Sequence, residues 1–427
     1  MKWALLIATI LAPASLQASP LETAKGLSEG LFKGWTYGNA ARNKTIDCVQ
    51  FMEVVIAKEV GRPLTSEERR TIAIHHGWSA DEVQAKAADG TDPKVSGLAH
   101  ALVDLMQVGT RVEPANAKVG DFVQYWKRNE EGKWFGHASL LSSVSDGKAR
   151  LYGSHKSTNG IAESNFELKL AGDDRHVYLV RLKEGLKDQV QRSRDGTLWL
   201  SNGMATREGD ERTWTLPMKR WGMYEAKAHF AATPPKESTL TLLEKSTSES
   251  HFGMRVYFAK PGDYPVTLRW KDDDAELRAL SLVPAPEGSS DLAESEGKVI
   301  LHSRDGTVLG QVLRYEPNPK KLCLGFWANA NDRAQWVFDV DKEGTFAVEI
   351  DQGCGKGHGG STAYVSSSGQ DLTFTVEDTG HFQNFRTRSI GTLTLPAGAN
   401  TLTVGAHKKA KGAVMDVREI RLVRETP

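Results

Sequence analysis

The sequence predicts a multidomain protein in which an N-terminal α+β domain precedes two all-β sandwiches. Helical periodicity marks the early part of the chain, and strands that alternate with period two follow it. Beyond that region, alternating apolar residues are interrupted by recurrent turn residues, a pattern typical of β-sandwiches. With 427 residues, the chain is long enough to bury several hydrophobic cores.

The first domain is predicted to begin with helices. Residues 48–60 form a helix that Asp47 caps and that Gly61 ends. Four residues make its apolar face: Phe51, Met52, Val55 and Ile56. Further helical patterns cover 67–74, 80–88 and 96–106.

A change of period then predicts an antiparallel sheet. Strands are expected at 122–126, 138–144, 149–152 and 177–182. Asp146-Gly147 predicts a hairpin turn between the second and third of these strands.

An internal repeat organises the rest of the chain. Ser-Arg-Asp-Gly-Thr occurs at 193–197 and again at 303–307, and each copy precedes a tryptophan, Trp214 or Trp336, that opens a pair of strands. The matching turns and strand ends that follow indicate two related units. The segment 284–297, rich in proline, serine and acidic residues, is the predicted linker between them.

Four segments result from these signals. Residues 1–18 have the basic start, apolar stretch and small-residue end of a signal peptide, which predicts a secreted or periplasmic protein. The α+β domain follows at 19–183, a degenerate sandwich at 184–287 and a second sandwich at 288–427. No segment is apolar for long enough to predict a membrane span.

Charge and cysteine content exclude some functions. Lysine plus arginine and aspartate plus glutamate both total 54, and this balance argues against nucleic acid as a partner. Three cysteines are too few for a disulfide scaffold. No zinc-ligand spacing occurs, so neither a metal nor a cofactor is predicted, and a structural calcium ion in a jelly roll is left open.

Cys48 is the predicted nucleophile of the first domain. It follows the cap residue Asp47, where the helix dipole and free N–H groups favour a thiolate. His137, in Gly-His-Ala-Ser at the start of a strand, is the predicted base. The next strand brings His155 beside it to orient the imidazole; Ser154 and Asn159 are the alternatives for that role.

These residues resemble the NlpC-type cell-wall cysteine peptidases and the related CHAP amidases. The similar segments are TIDCVQF around Cys48, VGDFVQYW at 119–126 and GHASLL at 136–141. The resemblance implies a papain-like fold in which Cys48 attacks an amide and His137 acts as base. It also implies a positioning tyrosine just before the cysteine, where Trp35 and Tyr37 stand in swapped order.

The last unit resembles the galactose-binding-like jelly rolls appended to secreted glycan enzymes, in WVFDVDKEGTFAVEID and in VEDTGHFQNF. This resemblance implies a sugar-binding or spacer role. Aromatic side chains stack on sugar rings. Trp327, Phe382 and Phe385, in loop-like positions, are the candidates for sugar binding, with packing in the core as the alternative. Cys323 and Cys354 are the candidate pair for a disulfide in the oxidising export compartment.

The resulting prediction is a secreted cysteine endopeptidase or amidase that cleaves amide bonds, with peptidoglycan or another extracellular glycan or peptide as partner. Two alternatives stay open. One is a non-catalytic glycan-binding or cell-envelope structural protein. The other is an acyltransferase or lipid-ester hydrolase, because the papain-like core supports several chemistries. Val49-Gln50, which replaces the Ser-Gly of the peptidase family, keeps these alternatives open.

Overall fold

The structure, a computed structural model, describes residues 19–74, 77–231, 234–271 and 275–425. The predicted signal peptide at 1–18 lies outside these ranges. Two compact units are present. The first unit comprises Met1–Glu59, Ile72–Ala99 and Arg111–Arg181, and the second comprises Val60–Thr71, His100–Thr110 and Leu182–Pro427.

Among the described residues of the first third of the chain there are four α-helices: α1 (Pro20–Glu29), α2 (Cys48–Val60), α3 (Ser66–Ile72) and α4 (Ala80–Asp89). The predicted helix at 48–60 is confirmed, and its predicted apolar face is fully buried. A π-helix, His100–Leu105, replaces most of the helix expected at 96–106. No helix within the described ranges has the length and apolarity needed to cross a membrane.

Nine strands accompany these helices: β1 (Thr36–Tyr37), β2 (Thr45–Ile46), β3 (Gly109–Val112), β4 (Phe122–Arg128), β5 (Trp134–Ser145), β6 (Lys148–His155), β7 (Gly160–Glu163), β8 (Leu168–Lys169) and β9 (Arg175–Leu182). Strands β1 and β2 form a short parallel pair. The others form a sheet of order β3-β9-β4-β5-β6-β7, with β8 beside β6.

The hairpin between β5 and β6 is the feature that positions the candidate site. Asp146 and Gly147 both have positive φ, 51° and 71°, as a type I′ turn requires, so the predicted turn is confirmed. Strand β5 begins at Trp134, three residues before His137. His137 therefore lies inside a strand and not at its start, which corrects the sequence-based expectation.

The first sandwich contains β10 (Gln191–Arg192), β11 (Leu198–Ser201), β12 (Thr206–Glu208), β13 (Glu211–Met218), β14 (Gly222–Phe230), β15 (Ser238–Leu242), β16 (Lys245–Thr247), β17 (Met254–Phe258), β18 (Gly262–Trp270) and β19 (Leu277–Pro284). Its sheets have the orders β10-β11-β19-β14-β17 and β12-β13-β18-β15-β16. Apolar residues from both sheets form one core.

The second sandwich contains β20 (Leu292–Ala293), β21 (Lys298–His302), β22 (Thr307–Leu309), β23 (Arg314–Glu316), β24 (Cys323–Gly325), β25 (Arg333–Val340), β26 (Gly344–Cys354), β27 (Thr362–Ser367), β28 (Gln370–Thr375), β29 (His381–Leu395), β30 (Gly398–Lys408) and β31 (Asp416–Arg424). Its sheets have the orders β20-β25-β30-β27-β28 and β23-β24-β31-β26-β29. Strand β22 pairs with β25, and β21 pairs with β31.

The two sandwiches place the repeated tryptophans in the same way. Trp214 is buried and its indole N–H donates to the carbonyl of Ser201 at 2.8 Å. Trp336 is buried and donates to the carbonyl of His302 at the same distance. Two all-β sandwiches are therefore present, as the alternating pattern predicts, and both tryptophans are core residues.

Candidate functional site

Cys48 is held at the start of α2 by the short segments on either side of it. The preceding strand β2 pairs with β1 so that Ile46 lies opposite Tyr37. The carbonyl of Ile46 accepts a hydrogen bond of 2.6 Å from the buried hydroxyl of Ser154 on β6. Ser154, an alternative for orienting His137, therefore anchors the segment that carries the cysteine.

Gln50, one of the two residues after Cys48 that depart from the peptidase family, has a structural role. The carboxylate of Asp47 accepts from the backbone N–H of Gln50 at 2.8 Å, and the amide oxygen of Gln50 accepts from the N–H of Asp47 at 3.2 Å. This reciprocal capping satisfies two N–H groups at the helix start. Gln50 thus stabilises the turn that contains Cys48.

The imidazoles of His137 and His155 come together, as predicted from the hairpin. His137 Nε2 lies 2.8 Å from His155 Nδ1, and the two rings are stacked with centroids 4.8 Å apart. The hydroxyl of Ser139 lies 3.1 Å from the same His137 nitrogen. Since His155 makes this contact, Ser154 and Asn159 are not needed to orient the ring; the catalytic role of either histidine stays a prediction.

The sulfur of Cys48 lies against the backbone of β5 at Ala138. The backbone N–H of Ala138, the residue after His137, donates a hydrogen bond to the sulfur. Tyr37 and Tyr125 both interact electrostatically with Cys48, and the ring of Tyr125 is 5.8 Å from that of His137. Tyr125 was missed in the sequence because only the pairing of β4 with β5 sets it opposite His137.

The protonation states differ from the sequence-based expectation. Burial raises the pKa of the Cys48 thiol, and the N–H of Ala138 and the N–H groups at the helix start lower it by less. The side chain is only 8% exposed. The prediction that the helix end favours a resting thiolate is therefore wrong, because the loss of hydration outweighs the donors.

The histidines are neutral for the same reason. Burial, followed by the neighbouring His155, lowers the pKa of His137 to about 3. Burial also lowers the pKa of His155. At rest Cys48 is thus a thiol and His137 a neutral imidazole, and one proton must move before the sulfur becomes nucleophilic.

Of the two positioning candidates, Tyr37 is the one coupled to the thiol. Burial raises the pKa of Tyr37, and the charges of Cys48 and Asp47 raise it further, so the phenol keeps its proton and can donate it in a hydrogen bond. Trp35 packs edge-on against Phe32 with ring centroids 5.0 Å apart. Phe32 in turn packs against Phe51 of α2, so the indole is part of the packing beside that helix.

The sugar-binding candidates of the second sandwich separate into three environments. Trp327 is 0% exposed, and its indole N–H donates to the carbonyl of Asp332 at 3.1 Å, so its prediction as a sugar-binding residue is wrong. Phe385 is half-buried beneath the guanidinium of Arg418, 3.7 Å from the ring centroid. Phe382 is half-buried beside His358.

Phe326 is an exposed aromatic residue of the second sandwich, beside the buried Trp327. It is 44% exposed and has φ of 57°, in the left-handed region. The guanidinium of Arg314 lies 3.8 Å from its ring centroid and 4.0 Å from that of Trp221. Its neighbour Trp327 is buried, and the sequence gives no sign of which of the two aromatics faces solvent.

The cysteines of the second sandwich are unpaired. Cys323 and Cys354 are both free and buried, which contradicts the predicted disulfide. The thiol of Cys323 instead donates to Asp416 at 3.7 Å, and Glu316 completes a group whose ligand atoms lie within 4.8 Å of one another. Burial raises the pKa of Asp416 to about 7, and Lys321 already pairs with Glu316 at 2.6 Å. This group has the donor atoms to hold a cation.

Three similar solved structures each cover about a third of the chain. No protein-family model matches the sequence, and a search of curated proteins gives no match. Solved structures that are similar include a C-terminal family 6 carbohydrate-binding module of a marine laminarinase from Zobellia galactanivorans, with 15% identity over 30% of this chain and 99% of that chain (TM-score 0.26). A family 35 module from Clostridium thermocellum has 14% identity over 30% and 98% (TM-score 0.26).

A third similar structure is the GH26-CBM35 β-(1,4)-mannanase of Podospora anserina, with 13% identity over 31% of this chain and a TM-score of 0.25. This chain spans only 29% of the length of that enzyme. These similar proteins are carbohydrate-binding modules or an enzyme that carries one. The resemblance of residues 20–183 to NlpC-type peptidases stays a prediction.

Proposed function

We propose that the chain is an exported cysteine hydrolase that cleaves amide bonds, with the peptides of cell-wall peptidoglycan as its substrate class. The observation that carries this proposal is the 2.8 Å contact between His137 Nε2 and His155 Nδ1. The residue after His137, Ala138, donates its backbone N–H to the thiol of Cys48 at the start of α2. A base oriented by a third group is the arrangement that nucleophilic catalysis needs.

The contacts of the His137 imidazole determine which of its two nitrogens can accept the proton of the Cys48 thiol. Because His155 and Ser139 both contact Nε2 of His137, Nδ1 is the nitrogen left to take the thiol proton. As the proton moves from sulfur to Nδ1, the sulfur forms a bond with the amide carbonyl carbon. The carbonyl oxygen becomes an oxyanion, for which the Tyr37 phenol is the proposed donor.

The two halves of the reaction then use the same imidazole. His137 gives its Nδ1 proton to the leaving amine as the C–N bond breaks, which leaves the acyl group on Cys48 as a thioester. His137 next takes a proton from the attacking water. The tetrahedral intermediate collapses, the carboxylic acid leaves, and the proton returns to the sulfur of Cys48.

The activity is expected to stay level as the pH falls from about 8 to about 5. The base must be unprotonated to take the thiol proton, and the pKa of His137 is lowered by burial to about 3, so the acid limb lies below this range. An ordinary imidazole would lose activity near its usual pKa of about 6.5. The measurement is kcat/KM against pH, and a limb between about pH 6 and 7 would contradict the assignment of His137 as the buried base.

The proposed activity is tested with purified full-length protein and peptidoglycan sacculi. Soluble fragments should appear, and mass spectrometry should show each new carboxyl end matched by a new amine. Release of fragments without new amines would indicate cleavage of sugar bonds and reject an amidase. Binding to the sacculi with no release would favour the second candidate function.

That second candidate is glycan binding without catalysis, and Phe326 is the observation that favours it. The exposed ring can stack on a sugar, and Nε of Arg314 beside it has no hydrogen-bond partner among the described residues. Trp221 extends this aromatic surface, at 5.4 Å from Phe326. Glycan binding here is also compatible with the hydrolase, since it would hold the enzyme close to its substrate.

Phe326→Ala is expected to weaken binding of the full-length protein to its glycan about tenfold, the size of effect seen for a dominant aromatic contact. The measurement is pull-down of the protein by insoluble sacculi over a concentration series. Phe252→Ala, which removes another exposed phenylalanine from the first sandwich, is the matched control. Equal binding by both variants and the wild type would remove Phe326 from the glycan surface.

A further inference from the structure

The hydroxyl of Ser139 contacts the histidine pair, and the reaction proposed above gives it no role. Ser139 follows His137 by two residues on β5, so the two side chains leave the strand on the same face. Its Oγ lies 3.1 Å from His137 Nε2, and the side chain is 0% exposed. The contact between its hydroxyl and the imidazole is therefore shielded from bulk water.

The contacts of His155 show why the Nε2 proton of His137 needs a second acceptor. To accept the Nε2 proton of His137, His155 must leave Nδ1 unprotonated and carry its own proton on Nε2. That Nε2 is buried and has no hydrogen-bond partner among the described residues. His155 is also neutral, so it offers no negative charge to the imidazolium that forms when the thiol gives up its proton.

We propose that Ser139 is a positioning residue whose oxygen accepts the Nε2 proton of His137 together with His155, so that the lone pair of Nδ1 faces the thiol. This inference rests on the proposed hydrolase function. When the Cys48 proton arrives at Nδ1, the Nε2 proton stays in place between Ser139 and His155. The bond to Ser139 then strengthens, because hydrogen bonds from a charged donor are stronger than those from a neutral one.

Gly153 on β6 supplies the room for this hydroxyl. A Cβ added at Gly153 would lie 2.6 Å from Ser139 Oγ but 3.4 Å from Ser139 Cβ. The first distance is too short for any real contact, and the second is an ordinary one. A methyl group at position 153 therefore displaces the serine oxygen, yet fits once that oxygen is removed. This relation between the two positions gives a test that does not touch the histidines.

The first readout is the tautomer of His137, measured by ¹⁵N NMR in histidine-labelled full-length protein and assigned with His137→Gln. The wild type should hold the proton on Nε2, and Ser139→Ala should reduce that preference by up to about tenfold, the value of one lost hydrogen bond. Gly153→Ala should do the same. Ser139→Thr, which keeps the hydroxyl, should restore the wild-type tautomer.

The second readout is the kinetics of the same variants. Ser139→Ala and Gly153→Ala should each lower kcat about tenfold with KM unchanged, because the serine contacts the imidazole and no substrate. The double variant should be no worse than Ser139→Ala alone. Additive losses in the double variant would overturn the proposal, because the methyl group would then act by a route other than the serine oxygen.

The tautomer readout separates this inference from the proposed function, because it needs no substrate and can be repeated in a Cys48→Ala background. An unchanged tautomer in both Ser139→Ala and Gly153→Ala would overturn the role of Ser139, whatever the activity. A shifted tautomer in a wild-type chain that releases nothing from sacculi would support the role of Ser139 and count against the substrate proposal alone.

Discussion

Cys48→Ala is expected to reduce the release of peptide fragments from peptidoglycan by at least about 10⁴-fold, the loss typical of removing a catalytic nucleophile. The sulfur forms the covalent bond in the proposed reaction, so no other group of the site can replace it. The variant should keep its fold, because alanine leaves the capping bonds between Asp47 and Gln50 intact. The measurement is the initial rate of amine release by the full-length protein.

Cys354→Ala is the matched control for this variant. Cys354 is also buried and free, but it lies on β26 of the second sandwich. Its loss should leave the rate of hydrolysis unchanged within about twofold, because a small change in the core of a separate unit shares no partners with the site. Comparable rates for Cys48→Ala and the wild type would reject the nucleophile.

Trp327→Ala is expected to destabilise the second sandwich by about 3–5 kcal/mol, the usual cost of deleting a fully buried large aromatic side chain. The indole fills part of the core and its N–H satisfies the carbonyl of Asp332. The expected defect is therefore one of folding and not of sugar contact. Hydrogen exchange with mass spectrometry measures it locally, which matters because a multidomain chain does not unfold in one step.

The adjacent exposed residue provides the control for this prediction. Phe326→Ala should change the free energy of opening of the second sandwich, measured by hydrogen exchange, by about 0.5 kcal/mol or less, as is usual for surface positions. The two neighbours thus have opposite expected phenotypes, one losing stability and the other losing glycan affinity. If Trp327→Ala lost glycan binding with unchanged exchange, the assignment of Trp327 to the core would be wrong.

The sequence predicts most local structure here because the relevant signals are local. The helix at 48–60 follows from its cap and its apolar face, and the turn at Asp146-Gly147 follows from two residues that tolerate positive φ. That turn sets the register of β5 and β6 as far as Ser143 and Arg150. A register shift between Leu141 and Ser143, which the sequence does not signal, then brings His137 to 2.8 Å from His155.

The parts that could not be predicted depend on burial, which the whole fold decides. The helix start at Cys48 favours a thiolate, but the enclosed position reverses the direction of the pKa shift. Phe326 and Trp327 are consecutive aromatics, and only the fold shows which is inside. Cys323 and Cys354 lie in separate environments of one sandwich, so the presence of two cysteines in that domain did not imply a disulfide bond.

The proposed reaction requires that the sulfur of Cys48 becomes acylated during turnover, and this intermediate can be trapped. Full-length protein is mixed with peptidoglycan peptides, quenched in acid within the first turnover, and digested for mass spectrometry. An acyl group is expected on the peptide that contains Cys48, removable by hydroxylamine as a thioester. Product formation with an unmodified Cys48 at every quench time, under conditions that preserve a thioester standard, would contradict it.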